Sequence, residues 1–347
     1  MMLSTVGQNI KLAARHIMAS ICYATSYSLS RLKGKAVILL YHRVLTEKEL
    51  KQEFIQPGMY VRHDVFEIQM LFLRKHFHIL SLQDLLDLWQ GKKWDSTKRY
   101  CVITFDDGWR DNYLYAFPIL RKHSIPATIF LPTALIGTDQ CFWPDILGNL
   151  LMHSYSSDVQ EEKRKALEAI WHRYPWTDEI NNKKKADRID AFIEHCKELS
   201  DEERNEILSE MARILGISVK GERALLTWDE VKEMSNNGIS FGSHSRTHKI
   251  LTKYPEKVVL EEIRDSLLRL QEEKVNFLPV FCYPNGDYNR EIAWKVRTAG
   301  YLAAVSTQFG TEDGSSQHYY ELKRIGIHND ISSTIPLFAY RLSGIRL

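Results

Sequence analysis

The stretch CVITFDDGWRDNY, residues 101–113, runs an apolar strand directly into two adjacent carboxylates. Val102, Ile103, Thr104 and Phe105 have the β-branched and aromatic character of a buried strand, and Asp106, Asp107 and Gly108 follow without a spacer. Adjacent carboxylates repel each other and both resist desolvation. Their position at the end of a buried strand therefore calls for a compensating charge.

Similar apolar runs recur along the chain. AVILLY (36–41), ATIFL (127–131), ISF (239–241), VFCY (280–283), LAAVS (302–306) and RIGI (324–327) join VITF (102–105) as strand candidates. Helix-length segments separate several of them, such as DVFEIQMLFLRKHF and PEKVVLEEIRDSLLRLQEEK. Alternating buried strands and helices imply an α/β fold on a parallel sheet, open or closed. Thr227 to Glu230 has the pattern of a capping box that starts a helix, and Asn237-Gly238 supplies a turn before the next strand. From about residue 138 to 224 the rhythm changes to charged helical patterns with no strand signal, which predicts a helical insertion. The expected organisation is a basic helical segment over 1–34, an α/β barrel domain over 35–137 and 225–347, and the insertion over 138–224.

With 347 residues, 44% hydrophobic and 26% charged, the chain has the composition of an ordinary globular protein. Its net charge of +2 gives no bias toward polyanions, so nucleic acid is not an expected partner. The charge is uneven, however. No Asp or Glu occurs from Met1 to Thr46, whereas Lys11, Arg15, Arg31, Lys33, Lys35 and Arg43 do. Ile10, Leu12, Ile17, Met18 and Ile21 can form one apolar stripe of a helix. The interval from Ile17 to Ser30 is too short and too rich in Ser, Thr and Tyr to span a bilayer, but the stripe suits either packing on the domain or peripheral contact with an anionic membrane surface. Five cysteines without a CxxC pair suggest a reducing cytoplasm, with the inner face of the membrane as the place where such a helix would act.

In parallel α/β folds, ligands bind where the carboxyl ends of the strands converge. Besides Asp106 and Asp107, His42 follows VILLY, His244 and His248 follow ISFG in SHSRTH, and Tyr283-Pro284-Asn285-Gly286 follows VFC. An Asp-Asp-Gly or a His-x₃-His alone is commonplace; both directly after buried strands point to a divalent metal. Two imidazoles four residues apart on a helical turn, completed by Asp107 or Asp106, would form a three-ligand set with positions left for water and substrate. Such a cation neutralises one aspartate and lets the other stay ionised as a base.

The paired motifs TFDDG and HSRTH resemble those of the polysaccharide deacetylases of carbohydrate esterase family 4, and YPNG partly resembles their third motif. The resemblance covers residues 36–137 and 225–330. It implies a distorted (β/α)7-type barrel, here with a helical insertion, and a Zn²⁺-type metal, with Co²⁺ or Ni²⁺ as alternatives. It also implies hydrolysis of N-acetyl groups on a sugar. Asp106 would be the general base, Asp107, His244 and His248 the metal ligands, and the backbone N–H of Asn285, after Pro284, an oxyanion donor. The general acid would be His42, brought beside the last strand by barrel closure as in circularly permuted relatives, or His328 in RIGIHND; His42 has the better local pattern. The family's base-orienting arginine falls at Cys282, and Arg324 is the replacement expected from the last strand.

Trp109, Tyr283, Pro284 and Trp143 are candidates for contact with the sugar. The expected substrate is an N-acetylated glycan, or a lipid-linked sugar if the basic helix brings the chain to a membrane. A deformylase or cyclic-amide hydrolase on the same metal site is an alternative, and a glycan-binding descendant that has lost catalysis is another.

Overall fold

The computed structural model describes residues 2–173, 185–217, 223–315 and 318–345. The chain forms two compact units. One comprises Met1–Thr46, Tyr60–Thr138 and Leu225–Leu347; the other comprises Glu47–Met59 and Asp139–Ala224.

The first unit is built on seven parallel strands: Lys35–Tyr41, Tyr100–Phe105, Ala127–Leu131, Ile239–Ser243, Phe277–Cys282, Ala303–Phe309 and Leu322–Gly326. All seven coincide with the apolar runs of the sequence. The first strand pairs with the second from Ala36↔Tyr100 to Tyr41↔Phe105, and with the seventh at Leu39↔Ile325 and Leu40↔Gly326. The sheet is therefore a closed ring, and residues from the two ends of the chain lie side by side. Among the described residues, four further short strands had no sequence signal: Arg43–Leu45, Tyr60–Arg62, His78–Ile79 and Glu312–Asp313. Two or three residues are too few to establish an alternation.

Side chains alternate across each strand, and this alternation sorts the core. Ala36, Ile38, Tyr100, Val102, Phe130, Leu278, Val280, Cys282, Ala303, Val305 and Leu322 form one cluster, joined by Leu82, Leu85, Leu86 and Trp89 of the helix Leu82–Gln90. The intervening positions pack outward. Phe281, Tyr283 and Ala304 meet Val259, Ile263 and Leu267 of the helix Glu256–Glu272, and Ile292 and Val296 of Arg290–Thr298. Helix Trp228–Ser235 begins with the Thr227–Glu230 capping box read from the sequence.

The second unit is helical. Trp143–Ser154, Glu161–His172, Lys185–Cys196 and Asp201–Leu215 enclose Leu147, Leu151, Ile189, Phe192, Ile193 and Met211. The segment Glu47–Met59, expected as part of the barrel, contributes Phe54 to this core. Its Gln56 side chain donates to Asp190 at 2.8 Å.

Candidate active site

The same alternation continues past the strand ends and divides the two aspartates between different surroundings. Thr104 and Asp106 share the inward parity of Tyr100 and Val102, as Arg324 shares that of Leu322. Arg324 is fully buried and donates from its two terminal nitrogens to Asp106 Oδ1 and Oδ2, at 2.7 Å each. Its Nε donates to the Ser306 carbonyl at 2.9 Å, and a terminal nitrogen reaches Thr104 Oγ1 at 3.2 Å. The fork-on-carboxylate geometry is the strongest form of this pair. Cys282 lies alongside, its thiol 3.3 Å from Asp106 Oδ2 and 3.2 Å from Arg324. Burial pushes that thiol up against the pull of Arg324, so it stays protonated and donates. Burial also acts to raise the Asp106 carboxyl, but Arg324, His244 and His42 outweigh it and hold the group below its ordinary value.

Asp107 turns away because its backbone does. Its φ is 75°, followed by 66° at Gly108. Aspartate tolerates this left-handed region better than most residues, while at Gly108 a Cβ would also stand 2.7 Å from Leu131 Cδ2. The Trp109 indole N–H donates to Asp107 Oδ2 at 3.0 Å. Asp107 Oδ1 lies 3.4 Å from His244 Nε2 and 3.3 Å from His248 Nε2.

His244 and His248 are brought together by a loop and not by the expected helical turn. Ser245 and His248 have φ values of 62° and 63°, which no α-helix accommodates. The loop is held by Glu262, a buried acid that accepts from the backbone N–H groups of Arg246 at 2.9 Å and Thr247 at 2.7 Å, and from the Thr247 hydroxyl at 2.5 Å. Glu262 escaped sequence reasoning because EEIRD reads as a solvated helix face. The available signal was its place in the stripe Val259, Glu262, Ile263, Ser266, Leu267, Leu270, all of which are buried.

Asp107, His244 and His248 each offer one ligand atom, and these atoms lie within 4.8 Å of one another. His244 Nδ1 is 2.8 Å from the Cys282 carbonyl, which fixes Nδ1 as an N–H, so Nε2, facing Asp107, is the nitrogen a metal would take in place of a proton. One carboxylate and two imidazoles suit a divalent transition-metal ion. A second group, Asp106, His244 and Cys282, satisfies the same spacing. Its donors are poorer, since both Asp106 oxygens are engaged by Arg324 and the Cys282 thiol keeps its proton.

His42 directly follows the first strand. Burial lowers its pKa, the charges of Asp107 and Asp106 act in the opposite sense, and Arg324 and His244 lower it again. It therefore stands within the electrostatic reach of Asp106, Asp107, Arg324 and His244. Its carbonyl accepts from Asn112 Nδ2 at 2.8 Å. Asn112 also donates to Asp111, which binds Arg43 Nε at 2.8 Å and the Val44 N–H at 2.9 Å. The Arg43 guanidinium lies 4.4 Å from the Trp109 ring. Arg43, Asp111 and Asn112, none of them read from the sequence as a site residue, tie the segment after the first strand to the one after the second. His328, the rival acid, caps the short helix Asn329–Ser332 and pairs through Nδ1 with Asp330 at 3.2 Å.

The aromatic candidates need correction. Tyr283 is fully buried: Cys282 points inward, so its successor points outward, stacks on Tyr288 at 4.7 Å and donates to the Tyr320 carbonyl. Trp109 is 1% exposed and serves Asp107 through its N–H, so neither ring presents a face to a sugar. Pro284 is buried. Asn285 is exposed at a corner with φ 60°, its side chain donating to Asp287 at 2.9 Å. Trp143 opens a helix of the second unit, partly buried on that unit's core with Arg204 5.1 Å from its ring.

The sequence profile described as polysaccharide deacetylase matches residues 93–304. YxkH of Bacillus subtilis is 23% identical over 303 residues, spanning 87% of this chain and 74% of that protein. A poly-beta-1,6-N-acetyl-D-glucosamine N-deacetylase of Staphylococcus epidermidis is 27% identical over 226 residues, 60% of this chain and 72% of its own. Two solved structures share the fold. IcaB from Ammonifex degensii has a TM-score of 0.55 at 16% identity, covering 88% of this chain and 97% of that one. The Streptococcus pyogenes deacetylase PplD in complex with acetate has a TM-score of 0.54 at 20% identity, covering 86% and 94%.

Proposed function

Because the chain belongs to the polysaccharide deacetylase family, we propose that it hydrolyses N-acetyl groups from the sugars of a polysaccharide or glycan precursor, with a divalent metal at Asp107, His244 and His248. The observation that carries this reading is a three-donor set beside a carboxylate that Arg324 keeps ionised. Two imidazoles and one carboxylate favour Zn²⁺, with Co²⁺ or Ni²⁺ as substitutes. A cation there would supply Lewis acidity toward the amide carbonyl and raise the acidity of the attacking water.

The residues divide the remaining work. Asp106 takes a proton from the attacking water. Its depressed pKa makes it a weak base, so it depends on that water being acidified. Arg324 keeps the carboxylate ionised and fixed in orientation, the task assigned elsewhere in the family to the position of Cys282. The N–H of Asn285 is assigned to the oxygen that gains negative charge. His42 gives a proton to the sugar nitrogen as the C–N bond breaks, so that free amine and acetate leave. Its place directly after the first strand, with both aspartates acting on it, supports this choice over His328, although burial lowers its pKa and the proton must be held against that effect. His42→Ala is expected to lower kcat by about 10²-fold or more, and His328→Ala to leave it within a few-fold; acetate release measures both. The reverse ranking would transfer the acid role to His328.

Elemental analysis tests the centre without a substrate. The wild type is expected to hold about one zinc-like ion per chain, and the His244→Ala/His248→Ala variant to lose it. A wild type that takes up no metal after exposure to Zn²⁺, Co²⁺ or Ni²⁺ would remove the hydrolytic reading.

A further inference from the structure

The helix Met2–Ala24 presents two unlike faces. Among its described side chains, Ala19 and Cys22 are buried against Leu337 and Tyr340, and Arg15 and Tyr23 are half-buried on the same side. Positions 15, 19, 22 and 23 are one helical stripe. A second stripe, Ala14, Ile17, Met18 and Ile21, follows the i, i+3, i+4, i+7 spacing on another face and is exposed. Ile17 is 62%, Ile21 54% and Met18 40% accessible. Of the other residues read into this apolar pattern, Ile10 lies outside the described side chains, and Leu12, though exposed, falls on a different side of the helix from Ile17 and Ile21. One face therefore anchors the helix to the barrel unit while the other keeps an apolar row in solvent, where such rows usually mark a partner.

The charge around this row indicates which partner. Lys11 and Lys33 are exposed, Arg31 lies beside the exposed Tyr27, and no acidic residue occurs before Glu47. An exposed aliphatic row on a stretch that carries exposed cations, a tyrosine and no acid matches a surface that is apolar within and anionic at its rim. Among the described residues no helix is long and apolar enough to cross a membrane, so a helix pinned by its inner face would lie along such a surface. We propose that this helix docks the protein on an anionic lipid bilayer, with Ile17, Met18 and Ile21 inserted at the level of the headgroup–acyl boundary. The proposal does not depend on the hydrolytic reading.

Co-sedimentation of the full chain with vesicles tests it. Vesicles of phosphatidylcholine containing about one-third phosphatidylglycerol are expected to bind the wild type, less strongly as salt rises. Ile17→Asp/Ile21→Asp is expected to weaken that binding by about tenfold or more. Lys11→Glu/Lys33→Glu should weaken it on the anionic vesicles alone. Both substituted pairs are solvent-facing, so an unchanged Tm and circular dichroism spectrum certify folding. Binding that the isoleucine substitutions leave intact would overturn the proposal, as would equal binding to pure phosphatidylcholine. Absence of vesicle binding would overturn it too. If light scattering then showed a wild-type dimer dissolved by Ile17→Asp, the row would be assigned to an interface between copies of the chain.

Discussion

Asp106→Asn is expected to lower kcat for acetyl release by about 10²–10⁴-fold while the metal content stays at the wild-type level. The amide matches the carboxylate in size but cannot take a proton, and Asp107, His244 and His248 are untouched. Chemistry and metal retention should therefore separate cleanly. The substitution also turns an amide NH₂ toward the Arg324 guanidinium, setting donor against donor where two bonds of 2.7 Å now stand. Some loss of stability will accompany it, so rates should be referred to folded protein. Acetate release from N-acetylglucosamine oligomers and elemental analysis are the two measurements. Activity retained within a few-fold would take Asp106 out of the reaction.

Arg324→Met is expected to be the most damaging single change to stability, about 3–5 kcal/mol. Methionine fills comparable space but leaves the buried Asp106 carboxylate without its counter-charge, and the Ser306 carbonyl without its donor. The pH dependence carries a definite sign. In the wild type the folded-state pKa of Asp106 is depressed, so its contribution is present above the unfolded value and is lost as pH falls through the folded one. Without Arg324, burial acts to raise that pKa, and protonation on acidification relieves the variant. The gap in urea midpoint between the two proteins should therefore be widest near neutrality and narrow as pH enters the carboxylate range. A gap constant across that range would show that Asp106 is not the group Arg324 stabilises. Arg324→Lys restores the charge without the fork and should recover only part of the loss.

Much of this was legible in order of residues alone. Every barrel strand announced itself because strands buried on both faces need unbroken apolar runs, and the polar residues after them marked the binding end. Other features depended on facts that spacing does not carry. The His-x₃-His pair has the separation of a helical turn, yet positive φ at Ser245 and His248 makes it a loop, and the buried Glu262 that supports it belongs to a different helix. Tyr283 and Trp109 read as sugar platforms because both adjoin motifs. In the structure the inward turn of Cys282 sends Tyr283 outward, and the left-handed bend at Asp107 brings the Trp109 N–H back to its carboxylate. Adjacency in sequence predicted nearness correctly and direction poorly.

The two halves of the Arg324–Asp106 pair are 218 residues apart in the chain. A nascent polypeptide that has made its first six barrel strands already carries an acid destined for the barrel interior, but not the base that neutralises it. Only the seventh strand delivers that base, and the same strand closes the ring against the first. Completion of the wall and neutralisation of Asp106 thus depend on the same strand. A chain truncated before Leu322 is left with both an open sheet edge and an unmatched interior charge.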